Sequence, residues 1–167
     1  MDRTQNQSYK PWQIGAFPKK RRDVELLKDS DDGLEIDLIF YDPNQTITVK
    51  FTYTEMYRVI DEGRRLKQLQ HLPLPMEETV YIVSNSDIVE ELVDESCGML
   101  ETRDVVHYFI VTDNDCIDVI TKANFKPQLG KNARFSDIKC PVLDTHFPSL
   151  PALLLLQLYT GYAIANP

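Results

Sequence analysis

Four carboxylates share one face of a helix that the sequence predicts between Ser84 and Gly98. They recur at positions i, i+3, i+4 and i+7, the spacing that gathers side chains on one side of a helix. These residues are Asp87, Glu90, Glu91 and Asp94. Like charges at this spacing repel, and each close pair costs roughly 0.2–0.5 kcal/mol of helix stability. The face therefore indicates either a surface for a basic partner or an ordinary solvated helix face.

Other residue types that support catalysis or metal binding are present without the spacing that such sites need. The three histidines show no HxH, HxxxH or HExxH pattern, and neither a phosphate-binding loop nor a GxSxG elbow occurs. Asp113, Asn114 and Asp115 lack the glycine and the bidentate glutamate of a calcium loop. Carboxylates near Cys97 disfavour the thiolate, which is the reactive form of cysteine. We therefore predict no catalytic residue, metal ligand or cofactor; a hydrolase that uses Cys97 or a histidine is the alternative.

Antiparallel strands are the elements that would position this helix. In residues 105–120, two apolar runs rich in β-branched and aromatic side chains flank the polar residues 113–115, which predicts a β-hairpin. Residues 34–41 and 46–53 alternate in polarity on either side of a proline-containing turn, and residues 24–27 would add an edge strand. The expected fold class is α+β: a single domain with a mainly antiparallel β-sheet and one amphipathic acidic helix packed on it.

The segments between these strands follow weaker patterns. Residues 57–60 either extend the preceding strand or begin a new one, residues 64–70 indicate a short helix, and residues 79–83 a further short strand. His107 is expected to be a hydrogen-bonded sheet residue. Cys116 is expected to pack in the hairpin as a small hydrophobic residue.

The acidic helix has recognisable start and stop signals. Ser84 and Asp87 have the spacing of a capping box, and Asn85 and Ser86 are further candidates for the N-cap. Gly98 suits position C′, where a left-handed backbone favours glycine. The helix should therefore end just before Gly98.

The net charge of −8 is unevenly spread along the chain. The first 22 residues hold six basic side chains and one acidic one, a net of +5, so the remainder carries −13. A body this acidic repels the phosphate backbone of nucleic acids and attracts basic proteins. The alternative is that the charge only keeps the protein soluble.

Composition divides the chain into three segments. Residues 1–22 are expected to form a basic extended arm, with its KKRR run in a solvated turn, and residues 23–147 the α+β domain, irregular after position 120. Residues 148–167 form an apolar tail; polar interruptions favour packing on the sheet or on a second subunit over a membrane anchor. Three cysteines without a CxxC motif, and an N-terminus without an apolar leader, predict a cytoplasmic protein.

Three stretches, taken in order and spacing, resemble a family of small acidic bacterial proteins. They are YRVIDEG at 57–63, SNSDIVEELVDESCG at 84–98 and HYFIVTDNDCIDVI at 107–120. The family consists of immunity proteins that accompany secreted or contact-delivered toxins, of the contact-dependent growth inhibition or polymorphic toxin type. The likeness covers roughly residues 34–122, and its motifs are structural rather than catalytic.

The resemblance implies stoichiometric inhibition of a cognate toxin, often a basic nuclease, in the cytoplasm. Carboxylates would meet the toxin's basic side chains, and aromatic anchors would supply binding energy. The candidate contacts beyond the helix face are Asp61, Glu62, Tyr57 and Tyr108, the two tyrosines being either anchors or core residues. The alternative function is a structural or regulatory subunit, with the apolar tail as the contact of a homo-oligomer.

Overall fold

The computed structural model describes residues 7–13, 16–19, 22–41, 44–74 and 77–132, all within the compact unit Met1–Phe135. The described strands form two antiparallel sheets, sheet A in the order β1-β6-β7-β8-β5 and sheet B in the order β2-β3-β4-β9. Sheet A consists of β1 (Ser8–Pro11), β5 (Met56–Asp61), β6 (Val80–Ser84), β7 (Val105–Val111) and β8 (Asp115–Lys122). Sheet B consists of β2 (Arg22–Ser30), β3 (Gly33–Tyr41), β4 (Asn44–Phe51) and β9 (Gln128–Asn132). The α+β class is confirmed, with the strands divided between two sheets.

Sheet B begins with the meander that the alternating sequence predicts. The even-numbered residues of β3 from Leu34 to Phe40 are buried, whereas the intervening side chains are only partly covered. The turn between β2 and β3 requires Gly33, whose φ is +108° and whose Cβ, if present, would lie 2.2 Å from the carbonyl oxygen of Phe51. Strand β3 therefore has one core face and one partly solvated face.

Apolar side chains of both sheets meet in one core between them. Trp12 and Phe17 also lie in this core, and the Trp12 ring packs edge-on against Tyr108 at 5.5 Å between centroids. The segment expected to be an extended arm thus joins the domain, because residues 8–11 form β1 and pair with β6. Arg22 is buried rather than solvated, and its Nε donates to the Val111 carbonyl at 2.7 Å.

The outer face of sheet A is covered as well. The short helix α1 (Leu66–Leu69) helps to bury one end, where Leu69 and Leu72 cluster with Phe109. The helix α2 (Asp87–Glu95) covers the other end through Ile88 and Val89. Strands β7 and β8 are consequently buried on both faces, which explains why they appear in the sequence as nearly continuous apolar runs.

The acidic helix α2 is shorter than predicted and is capped differently. Its N-cap is Ser86, whose side chain accepts from the backbone N–H of Val89; the predicted capping box from Ser84 to Asp87 is wrong because Ser84 still belongs to β6. At the other end, the C-cap is Ser96, so Cys97 occupies C′ and Gly98 follows it. Both Cys97 and Gly98 have positive φ, and the reversal is one residue longer than expected.

Two further differences concern the end of the described chain. The expectation of irregular structure after residue 120 is wrong for residues 128–132, which form β9 and pair with β4. This strand is short and contains Gly130, so its sequence pattern is weak. The tail predicted at 148–167 lies outside the described residues.

Candidate functional site

The acidic face of α2 forms one wall of an open cleft of about 1220 Å³, named here the acidic cleft. Arg58 from the middle of β5 reaches the same cleft. The acidic wall consists of Asp87, Glu90, Glu91 and Asp94. The structure thus brings the four helix residues predicted from the sequence together on one concave surface, next to an edge strand of sheet A.

The four carboxylates of this wall differ in their exposure and in their hydrogen-bond partners. Asp87 at the start of the helix is partly buried, and it accepts hydrogen bonds from the Gln7 side chain and from the backbone N–H of Ile88. Glu90, Glu91 and Asp94 are exposed. Within the described ranges, none of these three is paired with a lysine or arginine. The wall therefore presents three uncompensated negative charges to solvent.

Beneath the cleft, a fully buried carboxylate collects three donors. Asp118 of β8 lies directly opposite Arg58 of β5, and Arg58 Nε approaches its Oδ2 at 2.6 Å. Arg65 Nη2 lies 3.0 Å from the same oxygen, and His107 Nε2 lies 3.0 Å from Oδ1. Arg65 also stands 5.6 Å from the ring centroid of Phe109, a distance at which a cation interacts favourably with an aromatic face. The arrangement fixes Arg58, which links the buried network to the acidic cleft.

The charge of Asp118 is maintained by these donors. Burial by itself raises the pKa of the Asp118 carboxyl, but the His107 hydrogen bond and the two guanidinium groups, Arg58 and Arg65, outweigh it and lower the pKa to about 2. A buried carboxylate that lost these partners would be left with an uncompensated charge, which is strongly destabilising. The network is therefore held in one geometry by the need to satisfy Asp118.

Ser86, His107 and Asp118 are hydrogen-bonded in the order found in serine hydrolases, and the same contacts tie α2 to sheet A. Ser86 Oγ lies 2.8 Å from His107 Nδ1 and also accepts from the backbone N–H of Val89. With that lone pair occupied, the hydroxyl hydrogen can donate to Nδ1, which leaves the Nε2 hydrogen for Asp118. Ser86 is only 4% exposed. These bonds connect the N-terminus of α2 to the centre of sheet A.

A basic pocket of about 190 Å³ adjoins the acidic cleft and shares Arg58 and Asp87 with it. Its other lining residues include Arg64, Arg65 and Lys67, from the segment between β5 and the end of α1. The outer face of sheet A is thus polarised, with carboxylates on the α2 side and cations on the α1 side. Such a surface distinguishes partners by the placement of their charges as well as by their net charge.

The other predicted contact residues are not gathered at the cleft. Met56, at the start of β5, packs beside α2. Asp61 is the last residue of the strand, five positions after Met56, and Glu62 follows it. At about 3.3 Å per residue, Asp61 is roughly 16 Å along the strand from Met56. Asp61 and Glu62 do not line the acidic cleft; they lie beside the turn of the β7–β8 hairpin, where the Glu62 N–H donates to the Asn114 carbonyl.

The two tyrosines proposed as anchors are placed by the packing of sheet A. Tyr108 is 5% exposed and lies between the sheets against Trp12 and Phe51, so it is a core residue and not a surface anchor. Tyr57 is partly buried and packs against the same core. Neither ring lines the acidic cleft.

Sequence reasoning missed Arg58, Arg65 and Asp118 as parts of the site. One available signal is Asp118 itself, an acidic residue inside the apolar run CIDVIT, because a charge in a strand buried on both faces needs an opposite charge. His107 in the facing strand was expected to be hydrogen-bonded, and this prediction is confirmed. Which cation reaches Asp118 depends on the pairing of β5 with β8, and the sequence does not indicate that pairing.

Among the described residues, no group of three or more His, Cys, Asp or Glu side chains is arranged to hold a metal ion. No helix in the same part of the chain is long and apolar enough to cross a membrane. Comparisons with protein-family models, with curated proteins and with solved structures found no match to this chain.

Proposed function

We propose that this protein binds a basic segment of a protein partner in the acidic cleft, and that it acts as an immunity-type inhibitor of a bacterial toxin. The observation that carries the proposal is the concentration of unpaired carboxylates, Glu90, Glu91 and Asp94, on one open concave surface. The resemblance of three sequence stretches to toxin-immunity proteins supplies the class of partner. Inhibition would take place in the cytoplasm, where a delivered toxin acts.

The physical basis of the proposal is electrostatic steering followed by short-range pairing. A surface of one sign accelerates the encounter with an oppositely charged partner, and this effect weakens as salt rises. Arg58, held by Asp118, stands among the carboxylates as a fixed cation. It would reject a segment that places a lysine or arginine at that point and accept one with an acidic or polar group there. The cleft would therefore attract basic segments in general and select among them by the residue that lies next to Arg58.

Inhibition needs no chemistry from this chain. A one-to-one complex that covers the toxin's active site, or occupies the surface on which it binds its substrate, is sufficient. A nuclease binds its phosphodiester substrate through basic side chains, so a carboxylate surface competes for the same groups.

The proposal is tested first by finding the partner. The protein, tagged and retained on a resin, is incubated with a lysate of its own source cells, and retained polypeptides are identified together with the genes next to its own. A basic polypeptide recovered at about one-to-one, encoded next to this protein and inactive while bound, is the expected result. Recovery of this protein alone would contradict the proposal.

The binding surface is then tested with charge reversals. Replacing Glu90→Lys and Glu91→Lys together should slow association with the partner roughly tenfold or more at low salt, with little change in dissociation. The matched control is Asp31→Lys with Asp32→Lys, the same charge change on the exposed turn between β2 and β3. Equal slowing by both pairs would mean that net charge, and not the acidic cleft, controls association.

A further inference from the structure

The four edge strands of the two sheets differ in their protection against pairing with another chain. Strand β1 is only four residues long and carries Lys10 and Pro11, and β2 is interrupted by a bulge between Val24 and Leu26. Strand β9 is also short and contains Gly130. Short edges, lysine, proline and bulges are the devices by which proteins keep other strands away. Strand β5 has no lysine or proline and no bulge within the six residues that pair with β8, and its Arg58 is drawn onto the buried Asp118.

The free side of β5 can be assigned from the pattern of its hydrogen bonds. The Glu62 N–H donates to the Asn114 carbonyl, which continues the register in which Asp61 stands opposite Asp115. Hydrogen-bonded and non-hydrogen-bonded pairs alternate in an antiparallel ladder. The N–H and C=O groups of Tyr57, Val59 and Asp61 therefore point away from β8. In the part of the chain that the structure describes, no strand pairs with that side.

The two faces of β5 offer different chemistry to an added strand. On the outer face, Arg58 projects towards Asp118 and lines the acidic cleft with Glu90, Glu91 and Asp94 of α2. On the inner face, Val59 is 47% exposed. Because side chains of a strand alternate between faces, an added strand would direct every second side chain towards the carboxylates and the others onto Val59.

We propose that β5 receives an extended segment of the basic partner as a sixth strand of sheet A, in which lysine or arginine alternates with apolar residues except beside Arg58, where the segment carries an uncharged polar residue. The basic side chains lie in the acidic cleft, and the apolar ones cover Val59. Main-chain hydrogen bonds to Tyr57, Val59 and Asp61 supply affinity, and the alternating side chains supply register. This inference rests on the proposed function for the identity of the partner, and it adds the conformation and the sequence pattern of the bound segment.

The test uses a synthetic probe, so that it does not depend on finding the partner. A blocked nine-residue alternating peptide, Lys-Val-Lys-Val-Gln-Val-Lys-Val-Lys, places its glutamine beside Arg58 in either strand direction. It is titrated into the isotopically labelled full-length protein at low salt, and backbone amide signals are followed by NMR. The control is an isomeric peptide with the same four lysines, one glutamine and four valines in blocks. We expect the amides of Tyr57, Val59 and Asp61 to shift and to exchange more slowly with the alternating peptide only.

Substitutions of Val59 test whether main-chain hydrogen bonds at the free edge of β5 contribute to peptide binding. Proline at position 59 removes an N–H that points away from β8, so Val59→Pro leaves the β5–β8 ladder complete. It should weaken binding of the alternating peptide at least tenfold. Val59→Ala, which keeps the N–H, should change binding by no more than about threefold. Amide spectra of both variants establish that the fold is intact.

Three outcomes would overturn the inference while leaving the proposed function standing. Slow exchange of the Val59 amide in the protein alone would mean that residues of this chain already cover the edge. Shifts confined to α2 would mean that lysines bind the acidic wall without adding a strand. Absence of binding by both peptides would also reject strand addition, whereas the proposed function is rejected separately by the partner search and by the Glu90 and Glu91 reversals.

Discussion

Sheet A and sheet B are built from similar antiparallel strands but differ in what covers their outer faces. The outer face of sheet B is largely open and carries ordinary polar pairs, such as Thr48 Oγ1 donating to Asp37. The outer face of sheet A is covered at both ends by helices, and between them lie Asp118 and its three donors. The Asp37 carboxylate on sheet B is a solubilising group, whereas the Asp118 carboxylate on sheet A is a structural centre.

Coverage, more than residue type, decides what a polar residue does in this fold. Asp37 and Asp118 both lie in the middle of a strand, opposite a residue of the neighbouring strand. Water partly solvates Asp37 but is excluded from Asp118. Only Asp118 therefore needs a full set of hydrogen-bond partners within the protein.

The largest effect should come from removing the charge of Asp118. Asp118→Asn leaves Arg58 and Arg65 without their shared anion, and we expect it to lower the free energy of unfolding by about 3–5 kcal/mol. Asp37→Asn on sheet B is the matched control and should change that free energy by less than about 0.5 kcal/mol. Urea denaturation measures both. Equal losses for the two variants would remove the distinction between the sheets.

Acid should abolish part of the same contribution. The pKa of Asp118 is lowered from its ordinary value of 3.8 to about 2 in the folded protein, so its ionised form stabilises the fold above about pH 4. That stabilisation is lost as the pH falls from about 4 to 2. The stability difference between the wild-type protein and Asp118→Asn should therefore shrink by roughly 2 kcal/mol between pH 5 and pH 2. A difference that stays constant with pH would contradict the network.

A smaller loss is expected where α2 joins sheet A. Ser86→Ala removes both the N-cap of α2 and the hydrogen bond to His107, and it should cost about 1–2 kcal/mol of unfolding free energy. Ser84→Ala tests the cap that the sequence favoured, and it should cost less than about 0.5 kcal/mol because Ser84 is exposed in β6. If Ser84→Ala proved the more costly of the two, the assignment of the cap would be wrong.

The smallest effect on stability, and the sharpest contrast in reactivity, concerns two cysteines. Burial raises the pKa of the Cys116 thiol to about 12, whereas Cys97 is exposed after α2. In a Cys140→Ser background, iodoacetamide at neutral pH should modify Cys97 in the native protein and Cys116 only on unfolding. Peptide mass spectrometry distinguishes the two sites. Modification of Cys97 should leave the unfolding free energy unchanged, and rapid native modification of Cys116 would show that the outer face of sheet A is open.

How much of this could be predicted depends on whether the information is local. The alternation of residues 34–41, the hairpin at 105–120 and the acidic face of α2 are short-range patterns, and the sequence predicts all three. The division into two sheets is not local, because it depends on β5 pairing with β8 rather than with its neighbour β4. The expectation for residues 57–60 accordingly left open whether they extend the earlier strand.

The sequence predicts the acidic residues of the candidate site, but not the strand pairing and the buried ion pairs that position them. Periodicity placed Asp87, Glu90, Glu91 and Asp94 on one face, which the acidic cleft confirms. Asp61 and Glu62 do not line the cleft, and the sequence does not indicate this because nearness to Tyr57 says nothing about position along the strand relative to α2. Arg58 was overlooked because its importance comes from Asp118, sixty residues later in the chain.

The pairing of β5 with β8 also has a consequence for how the molecule is made. The β2–β3–β4 meander involves neighbours in sequence and can form as soon as those residues leave the ribosome. The cleft cannot, because it requires Arg58, the helix that starts at Asp87 and the later strand that carries Asp118. A nascent chain that ends before β8 has the acidic helix but no sheet to hold it in place. The surface proposed to bind a partner would thus be completed late in synthesis, when β8, the last strand of sheet A in chain order, has been made.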